Sequence, residues 1–479
     1  MREREVDVAV IGAGTAGLVA WRQASKYSED VVLIEGGPYG TTCARVGCMP
    51  SKLLIVAAEA AFEAAHADRF GIRVGQVEVD GKAVLDRVRV ERDRFVGFVL
   101  DSVDRIPAGQ RIEGLARFED DETLIVGDHT RVRAGRIVIA TGSRTHIPGF
   151  LEQAGERLVT SDDVFEWPDL PESVAVFGPG VIGLELGQAL SRLGVRVRMF
   201  GVGGAVGPIQ DDEIRRIALE TFNEEFPLDP DAQVDAVGET NDGVEITFTV
   251  NGKPRTECFE YLLAATGRRP NVDELALDKT SLELDERGMP GFDRFTMRCG
   301  DSHIFIAGDA NSDLPLLHEA ADEGRIAGTN AGRYPDVRVG HRRTPLAVVF
   351  TDPQIATAGR TIQQTAEHCR GCFEVGSVDF ADQGRSRVMG RNRGLLRVYG
   401  EHGTGRFMGA EMFGPAAEHI GHLLAWSAQQ RLRVSDMLDM PFYHPVIEEG
   451  LRSALRDLNH KLRIGPAIED RCLECGPGD

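Results

Sequence analysis

Lysine is scarce in this sequence, since only six of the 54 basic residues are lysine and the rest are arginine. With 75 acidic residues the formal net charge is −21, and such a negative surface repels the phosphate backbone of a nucleic acid. Long apolar runs are also missing: no stretch of 18 apolar residues occurs. We therefore expect neither a nucleic-acid partner nor a membrane-spanning helix.

Cysteine is sparse as well, with eight residues in a chain of 479, too few for a disulfide scaffold. The N-terminal sequence MREREVDVAVIGAG enters a buried-strand pattern within a few residues, so we expect no secretory signal peptide. We therefore expect a cytoplasmic protein of about three domains. In that compartment, closely spaced cysteines are typical of redox or metal sites.

Two cysteines, Cys43 and Cys48, are separated by four residues in TTCARVGCMPSK, where a helix is predicted to begin. The positive end of a helix dipole favours the thiolate form of a nearby cysteine. Two thiols one turn apart can also close a small, strained disulfide of the labile and catalytic kind. Two buried structural cysteines are the ordinary interpretation of such a pair, and the motifs around it favour the redox interpretation.

A nucleotide-binding fingerprint precedes this pair. A predicted strand over Val6–Ile11 leads into Gly12, Gly14 and Gly17, and the next apolar strand ends in Glu35. Glycines at this spacing let the backbone approach a pyrophosphate at a helix N-terminus, and the acid is expected to bind the adenosine ribose hydroxyls. Downstream, apolar periodicity predicts helices over residues 53–73 and 82–106.

A second fingerprint follows the predicted strand Ser173–Phe177 and consists of Gly178, Gly180 and Gly183. Two nucleotide sites in one chain indicate electron transfer between two carriers. The strand after this fingerprint should end in an acid for NAD or be followed by arginines for NADP. It ends at Gly201 in the sequence GVG, so neither determinant is present, and both nucleotides stay possible.

The cysteine stretch resembles the redox-active disulfide of the FAD-dependent pyridine nucleotide–disulfide oxidoreductases, among them dihydrolipoyl dehydrogenase, glutathione reductase and mercuric reductase. Two positions depart from the family pattern: Thr41 stands where glycine is usual, and Arg45 where asparagine is usual. Both departures lie beside the disulfide and bear on substrate identity more than on chemistry. The chain shares with the pattern Cys43, Gly47, Cys48, Pro50, Ser51 and Lys52.

The resemblance implies an α/β fold with two Rossmann-like dinucleotide-binding domains plus an α+β dimerisation domain, assembled as a homodimer. We expect residues 1–150 to form the first part of the FAD-binding domain and residues 151–270 the NAD(P)-binding domain. Residues 271–341 would return to the FAD-binding domain. Residues 342–465 would form the dimerisation domain, and residues 466–479 a C-terminal tail.

The resemblance also implies cofactor-binding residues, and no metal ligands. Gly183 stands where NADP-preferring members often have alanine, so NAD is expected and NADP is kept as an alternative. The residues implied for FAD are Gly12, Gly14, Gly17, Glu35, Thr42, Lys52, Thr141, Gly142 and Asp309. Those implied for NAD(P) are Gly178, Gly180, Gly183 and Gly267.

Near the C-terminus, His444 and Glu449 match the family's HPTxxE motif, although Val446 replaces the usual threonine. By resemblance, His444 of one subunit is the acid/base at the partner's disulfide, and Glu449 orients it. Mercuric reductases lack this histidine and usually carry an extra metal-binding domain, which we do not expect in this protein.

The mechanism implied by the resemblance starts when a substrate dithiol attacks Cys43 and Cys48 leaves as a thiolate held against the flavin. Lys52 and Glu185 are expected to pair beside the flavin ring. We expect a dihydrolipoyl dehydrogenase-like enzyme acting on a small dithiol or disulfide, or on a lipoyl protein. The alternatives are an NAD(P)H-dependent reductase of another disulfide, of glutathione or thioredoxin type, or of mercuric ion, and lastly a non-catalytic flavoprotein subunit.

Six further cysteines leave several roles open. Two of them are expected to be single thiols, buried or half-buried, and four form two close pairs. The C-terminal pair could be a second redox pair on a tail, or both pairs could bind zinc, or all four could be unlinked surface thiols. The single thiols are Cys258 and Cys299, and the pairs are Cys369 with Cys372 and Cys472 with Cys475.

Overall fold

The computed structural model describes residues 1–463. Residues 1–145 contain most of the first sheet, the helices around it, and a short strand, β7, that joins another sheet. These elements are β1 (Arg2–Ile11), α1 (Thr15–Ala24), β2 (Val31–Glu35), α2 (Thr42–Arg45), α3 (Cys48–Ala65), α4 (Gly81–Asp104), β3 (Arg111–Glu113), β4 (Ala116–Phe118), β5 (Thr123–Val126), β6 (Thr130–Ile139) and β7 (Ser143–Thr145).

The middle of the chain forms a second Rossmann-like unit and then returns to the first sheet through a strand that pairs with β6. Its elements are β8 (Leu158–Thr160), β9 (Ser173–Phe177), α5 (Val181–Arg192), β10 (Arg196–Phe200), α6 (Asp212–Glu225), β11 (Leu228–Asp229), β12 (Gln233–Thr240), β13 (Gly243–Val250), β14 (Lys253–Phe259), β15 (Tyr261–Ala264), β16 (Arg268–Pro270), β17 (Ile304–Ile306) and α7 (Leu317–Arg333).

The last part combines an antiparallel sheet with helices. Its elements are β18 (Leu346–Val349), β19 (Gln354–Gly359), α8 (Ile362–His368), β20 (Phe373–Asp379), α9 (Gly384–Val388), β21 (Leu395–Glu401), β22 (Phe407–Gly414), α10 (Ala417–Gln429), α11 (Val434–Leu438) and α12 (Glu448–Leu462).

The first sheet has seven strands in the order β3-β2-β1-β6-β5-β4, and β17 pairs with the C-terminal half of β6. Its core strands are parallel, and the residues of β2 from Val31 to Ile34 are buried on both faces. A near-continuous apolar strand of this kind is typical of a parallel sheet covered by helices. Helices α1 and α7 approach closely, since a Cβ on Gly324 would lie 2.3 Å from the Ala16 carbonyl oxygen.

The second sheet is entirely parallel, in the order β11-β10-β9-β15-β8. A three-stranded antiparallel sheet, β12-β13-β14, packs against it through a cluster that includes Phe200, Phe248 and Phe259. The last part of the chain forms the antiparallel sheet β18-β19-β22-β21-β20, with α10 and α12 against it. Two Rossmann-like units and an α+β unit are therefore present, which confirms the expected fold class.

The helix predicted over residues 53–73 has different limits in the structure. It begins earlier, at Cys48, and ends at Ala65, where the ring nitrogen Nδ1 of His66 lies 2.8 Å from the Phe62 carbonyl oxygen. Gly71, inside the predicted range, has a left-handed φ of 78°, which no right-handed helix accommodates. The prediction was wrong at this end because periodicity alone does not register a turn.

In the part of the chain from residue 1 to residue 463, no helix combines the length and the apolar character needed to cross a membrane. The predicted tail over residues 466–479, with Cys472 and Cys475, lies outside the described residues.

Candidate active site

The two motif cysteines lie on consecutive helices. Cys43 is the second residue of α2, and Cys48 is the first residue of α3, at its N-terminus. Thr41 precedes α2 with φ 60° and ψ 148°, and its side-chain oxygen accepts a hydrogen bond from the Ala44 amide at 3.3 Å. A residue with a Cβ is strained in this region of φ and ψ, which explains why glycine is usual there. The capping hydrogen bond offsets part of that strain.

The two thiols are free in this structure, and they differ in acidity. A hydrogen bond from the Cys43 thiol lowers the pKa of Cys48 from 9.0 to about 7; partial burial opposes this shift, and the charge of Lys52 supports it. The same hydrogen bond, together with burial, raises the pKa of Cys43. Near neutral pH a substantial fraction of Cys48 is therefore thiolate, while Cys43 keeps its proton.

Lys52 follows Cys48 by one helical turn and points towards α5. Its ammonium lies 2.6 Å from the Glu185 carboxylate, and Glu185 is only 4% exposed. The other carboxylate oxygen of Glu185 accepts a hydrogen bond from the Phe350 amide at 2.9 Å, and the Lys52 ammonium lies 4.8 Å from the centre of the Phe350 ring. The expected contact between Lys52 and Glu185 is present, while its role beside a flavin stays a prediction.

The first glycine fingerprint forms a tight turn between β1 and α1. A Cβ on Gly12 would lie 2.3 Å from the Ala140 carbonyl oxygen, whereas Gly14 has open space where a side chain would stand. Glu35 ends β2, and its two carboxylate oxygens accept hydrogen bonds from the amides of Ala13, at 2.6 Å, and Gly37, at 2.7 Å. The open side of the turn therefore leaves room for a pyrophosphate at the N-terminus of α1.

Three further residues expected at FAD lie where β6 and β17 end. The buried Thr141 hydroxyl has no hydrogen-bond partner among the described residues, and Gly142 has a left-handed φ of 69°. One Asp309 oxygen accepts a hydrogen bond from the Ser143 hydroxyl at 2.7 Å. An unpartnered buried hydroxyl beside an open glycine turn fits a bound polar cofactor, so these residues suit FAD.

The segment that carries Asp309 is held by residues that sequence reasoning missed. Buried Glu323 on α7 accepts hydrogen bonds from the Gly308 amide at 2.8 Å and the Asn311 side chain at 2.7 Å. Arg342 contacts the other oxygen of Glu323 at 2.7 Å and also Glu319 at 2.9 Å. Burial raises the pKa of both glutamates, and Arg342 opposes that shift. No local motif marks these contacts, because Arg342 lies 19 residues from Glu323.

The second fingerprint repeats the turn of the first between β9 and α5. A Cβ on Gly178 would lie 2.3 Å from the Ala265 carbonyl oxygen, and one on Gly183 would lie 2.0 Å from the Gly178 carbonyl oxygen. Gly180 has open space, as Gly14 has. Gly267, also expected at this site, follows β15 with φ 104°. The two turns thus offer the same kind of cradle for a dinucleotide phosphate.

His444 and Glu449 are brought together at the start of α12. The Nδ1 atom of His444 lies 3.0 Å from a Glu449 carboxylate oxygen, and the other oxygen accepts a hydrogen bond from the Val446 amide at 3.1 Å. The His444 side chain is 62% exposed and that of Glu449 13% exposed. The imidazole is therefore oriented by a fixed carboxylate and presented at the surface of this subunit.

The remaining cysteines correct two expectations. Cys258 was expected to be buried or half-buried and is exposed, while Cys299 is buried, with its pKa raised by burial to about 12. Within the Cys369–Cys372 pair, Cys372 is exposed but Cys369 is buried at the end of α8, so the pair is not simply two surface thiols. Within residues 1–463, no cluster of three or more histidine, cysteine or acidic side chains could hold a metal ion.

Comparisons with known proteins agree on one family. The family described as "Pyridine nucleotide-disulphide oxidoreductase" matches residues 6–324, and its dimerisation domain matches residues 346–455. The chain is 32% identical to a dihydrolipoyl dehydrogenase of Haloferax volcanii over 460 residues, covering 94% of this chain and 95% of that protein. It is 29% identical to the dihydrolipoyl dehydrogenase of Bacillus subtilis, covering 93% and 94% respectively.

A solved structure, LpdA from Mycobacterium tuberculosis, is similar over 94% of this chain and 99% of that one, with 25% identity and a TM-score of 0.80. Similarity therefore extends from the first fingerprint through the last sheet, and it includes the segment that carries Cys43 and Cys48. Because these matches cover most of its length, the chain belongs to the pyridine nucleotide–disulfide oxidoreductase family of enzymes.

Proposed function

We propose that this enzyme oxidises a dihydrolipoyl-type dithiol with NAD⁺, as a dihydrolipoyl dehydrogenase does. The observation that carries the proposal is the position of Cys48 at the N-terminus of α3, one turn before Lys52, whose ammonium lies 2.6 Å from the buried Glu185 carboxylate. When the two cysteines are reduced, electron transfer to a flavin requires a thiolate. Cys48, next to the Lys52–Glu185 pair, is the cysteine whose pKa is lowered. Two relatives named dihydrolipoyl dehydrogenase, similar over more than nine-tenths of the chain, support the choice of substrate.

In the proposed reaction the oxidised enzyme carries a Cys43–Cys48 disulfide. A substrate thiolate attacks Cys43, forms a mixed disulfide, and releases Cys48 as the thiolate. The second substrate thiol then displaces Cys43, so that the substrate leaves as a disulfide and the two enzyme sulfurs are reduced. The Lys52 ammonium and the N-terminus of α3 stabilise the departing Cys48 thiolate, which makes Cys48 a better leaving group, since a less basic thiolate leaves faster.

His444 would accept the proton of the attacking thiol, with Glu449 holding the ring in place. We propose that this histidine serves the disulfide of a partner subunit in a homodimer. The family match to a dimerisation domain over residues 346–455 and the 62% exposure of the imidazole support that assignment. Each active site would then need residues from two chains.

FAD, when bound, would carry the electron pair from the enzyme dithiol to the nicotinamide. The residues proposed to hold it are Thr42, Thr141 and Asp309 with the turn at Gly14. Lys52 and Glu185 would fix a positive charge near the site where negative charge develops on reduction. For the nicotinamide nucleotide we propose NAD(H), because the sequence GVGG after β10 and the sequence DPDA, which begins with the last residue of β11, contain no basic residue that could hold a 2′-phosphate.

Steady-state assays with the purified, FAD-loaded protein test this proposal. Dihydrolipoamide with NAD⁺ should give NADH in a stoichiometric reaction: dithiol plus NAD⁺ yields disulfide, NADH and a proton. Parallel assays use NADH with lipoamide, glutathione disulfide or oxidised thioredoxin. We expect turnover with the lipoyl substrates and loss of it in Cys48→Ser. A higher kcat/KM with glutathione disulfide or thioredoxin than with lipoamide would contradict the proposed substrate.

A further inference from the structure

The end of β10 cannot carry the acid that binds the adenosine ribose in many NAD enzymes. Its last residue, Phe200, is followed by Gly201, where that acid would stand. A Cβ on Gly201 would lie 2.6 Å from the Pro230 carbonyl oxygen and 2.7 Å from a ring carbon of Pro179. Any side chain here would collide with the fingerprint loop itself, so ribose recognition must come from a neighbouring segment.

The loop after β11 is that neighbour. Strand β11 runs parallel to β10, so the two strands end side by side. The Gly201 amide donates to the Asp229 carbonyl oxygen at 2.7 Å, and the Ala232 amide donates to the Gly201 carbonyl oxygen at 2.9 Å. The Gly204 amide donates to the Pro230 carbonyl oxygen at 3.0 Å. Residues 201–204 and 229–232 therefore form one hydrogen-bonded rim beside the second fingerprint.

One carboxylate is fixed on this rim. The Oδ1 atom of Asp231 accepts a hydrogen bond from the Gly203 amide at 2.7 Å, and the Asp231 amide donates to an Asp229 carboxylate oxygen at 3.1 Å. Asp231 is exposed, and no residue in the described range 1–463 donates a hydrogen bond to its Oδ2. A carboxylate held by the backbone, with one oxygen free, is the arrangement that accepts hydrogen bonds from vicinal ribose hydroxyls.

The charges around the rim disfavour a 2′-phosphate. The nearest arginines in sequence, Arg196 and Arg198 on β10, are both paired with Glu257, and their guanidinium groups lie over the rings of Phe259 and Phe248. They are thus bound to the β12-β13-β14 sheet. The rim itself presents carboxylates from Asp229 and Asp231, which repel a phosphate monoester.

We propose that Asp231 selects NAD(H) in this enzyme by accepting hydrogen bonds from the adenosine ribose hydroxyls and by repelling a 2′-phosphate. The position of the usual ribose-binding acid is occupied by Gly201, which has no room for a side chain. Asp231, on the loop after β11, binds the ribose instead. The inference rests on the proposed function only in requiring that the second fingerprint binds a nicotinamide dinucleotide; it does not depend on the disulfide substrate.

Calorimetric titration of the FAD-loaded full chain with NAD⁺ and with NADP⁺ measures the proposed selection without turnover. The wild-type protein should bind NAD⁺ about 100-fold more tightly than NADP⁺. Asp231→Ala should weaken NAD⁺ binding by about tenfold, because a charge-assisted hydrogen bond is lost. Asp231→Asn keeps an oxygen for the Gly203 amide but removes the charge, so it should strengthen NADP⁺ binding.

The matched control is Asp242→Asn, which removes an exposed negative charge from the turn between β12 and β13. It should leave both dissociation constants within twofold of the wild-type values. FAD absorbance and thermal unfolding verify that each variant is folded. The proposal is overturned if wild-type protein binds NADP⁺ as tightly as NAD⁺, or if Asp231→Ala behaves like the control. Absence of binding of either nucleotide would instead contradict the proposed function.

Discussion

The Lys52 ammonium lies 2.6 Å from the Glu185 carboxylate, and this contact joins helices α3 and α5 although the two residues are 133 positions apart in sequence. Lys52 stands on α3 beside the redox cysteines, and Glu185 stands on α5 behind the second glycine fingerprint. Because Glu185 also accepts the Phe350 amide hydrogen, one carboxylate connects all three parts of the fold. The pair therefore couples the position of the thiols to the packing of the nucleotide-binding unit.

Replacement of Glu185 tests whether this pair matters for electron transfer. Glu185→Gln keeps an oxygen for the Phe350 amide but removes the charge opposite Lys52. We expect flavin reduction by dihydrolipoamide to slow by about fivefold or more, because Lys52 loses the charge of a partner that is only 4% exposed, and even an exposed ion pair is worth up to about 1 kcal/mol. Stopped-flow absorbance measures this rate. Glu63→Gln, which removes a charge from the same helix as Lys52, is the control, and equal rates in both variants would deny the pair a role.

The order of the two cysteines can be read from the spectrum of the reduced enzyme. If Cys48 faces the flavin, Cys43→Ser should keep the long-wavelength band of a thiolate–flavin charge transfer, and Cys48→Ser should abolish it. The reason is that only a thiolate in contact with the flavin gives this band. Each variant serves as the control of the other, and the opposite pattern would reverse the assignment.

The intensity of the same band should depend on pH. The pKa of Cys48 is lowered to about 7, so the thiolate and its band should grow as the pH rises through about 7. Cys43→Ala removes the hydrogen bond that is the main cause of the low value, and the midpoint should move up by about one pH unit or more. Cys43→Ser retains a hydroxyl donor and should titrate nearer the wild-type midpoint. A midpoint unchanged in Cys43→Ala would exclude the hydrogen bond as the cause.

A third group of variants concerns the proposed acid/base. His444→Gln should lower kcat with lipoamide by about 100-fold or more, the usual contribution of a positioned proton acceptor. Glu449→Gln should have a smaller effect, because the ring keeps its nitrogen and loses only its charged partner. NADH-to-dye activity should survive in both variants. His460→Gln, an exposed histidine on α12, is the control, and wild-type turnover in His444→Gln would exclude this residue as the base.

The sequence predicts the parts of the site that lie within short motifs. The strand–glycine–helix turns at Gly14 and Gly180 were predictable, because a tight turn and a close backbone approach require glycine at fixed spacing. The contact of Lys52 with Glu185 was expected only through the family resemblance. The pairing of Glu323 with Arg342 was not predictable, because α7 and the segment before β18 meet only after folding.

The same limit applies to Asp231 and to the end of α3. Nothing in the sequence DPDA shows that this loop hydrogen-bonds to Gly203, since the contact depends on β11 pairing with β10. The apolar periodicity predicts a helix as far as residue 73, whereas α3 ends at Ala65 and Gly71 adopts a left-handed φ of 78°. Periodicity reports which face is apolar, and backbone geometry decides where an element ends.

Arg342 should be required for stability and for retention of FAD. It is 7% exposed and contacts Glu319 and Glu323, which are 1% and 0% exposed. Arg342→Met removes the arginine paired with both buried carboxylates, so the free energy of unfolding should fall by about 3–5 kcal/mol. Because Glu323 also holds the Gly308 amide next to Asp309, the variant should release FAD at lower denaturant concentrations than wild type.

The loss of stability in Arg342→Met should increase as the pH rises. Burial raises the pKa of Glu319 and Glu323, and removal of Arg342 raises both values further, so the folded variant binds protons that the unfolded chain releases. Its stability therefore falls as the pH rises above the unfolded glutamate pKa, and the deficit should be larger at pH 8 than at pH 5. Urea unfolding at pH 5 and pH 8 measures how far the free energy of unfolding of the variant lies below that of the wild type.

The control is Arg343→Met, which loses a 62% exposed arginine paired with Asp322 and should cost at most about 1 kcal/mol of stability. Equal deficits in the two variants, or a deficit independent of pH, would show that Arg342 does not neutralise these carboxylates.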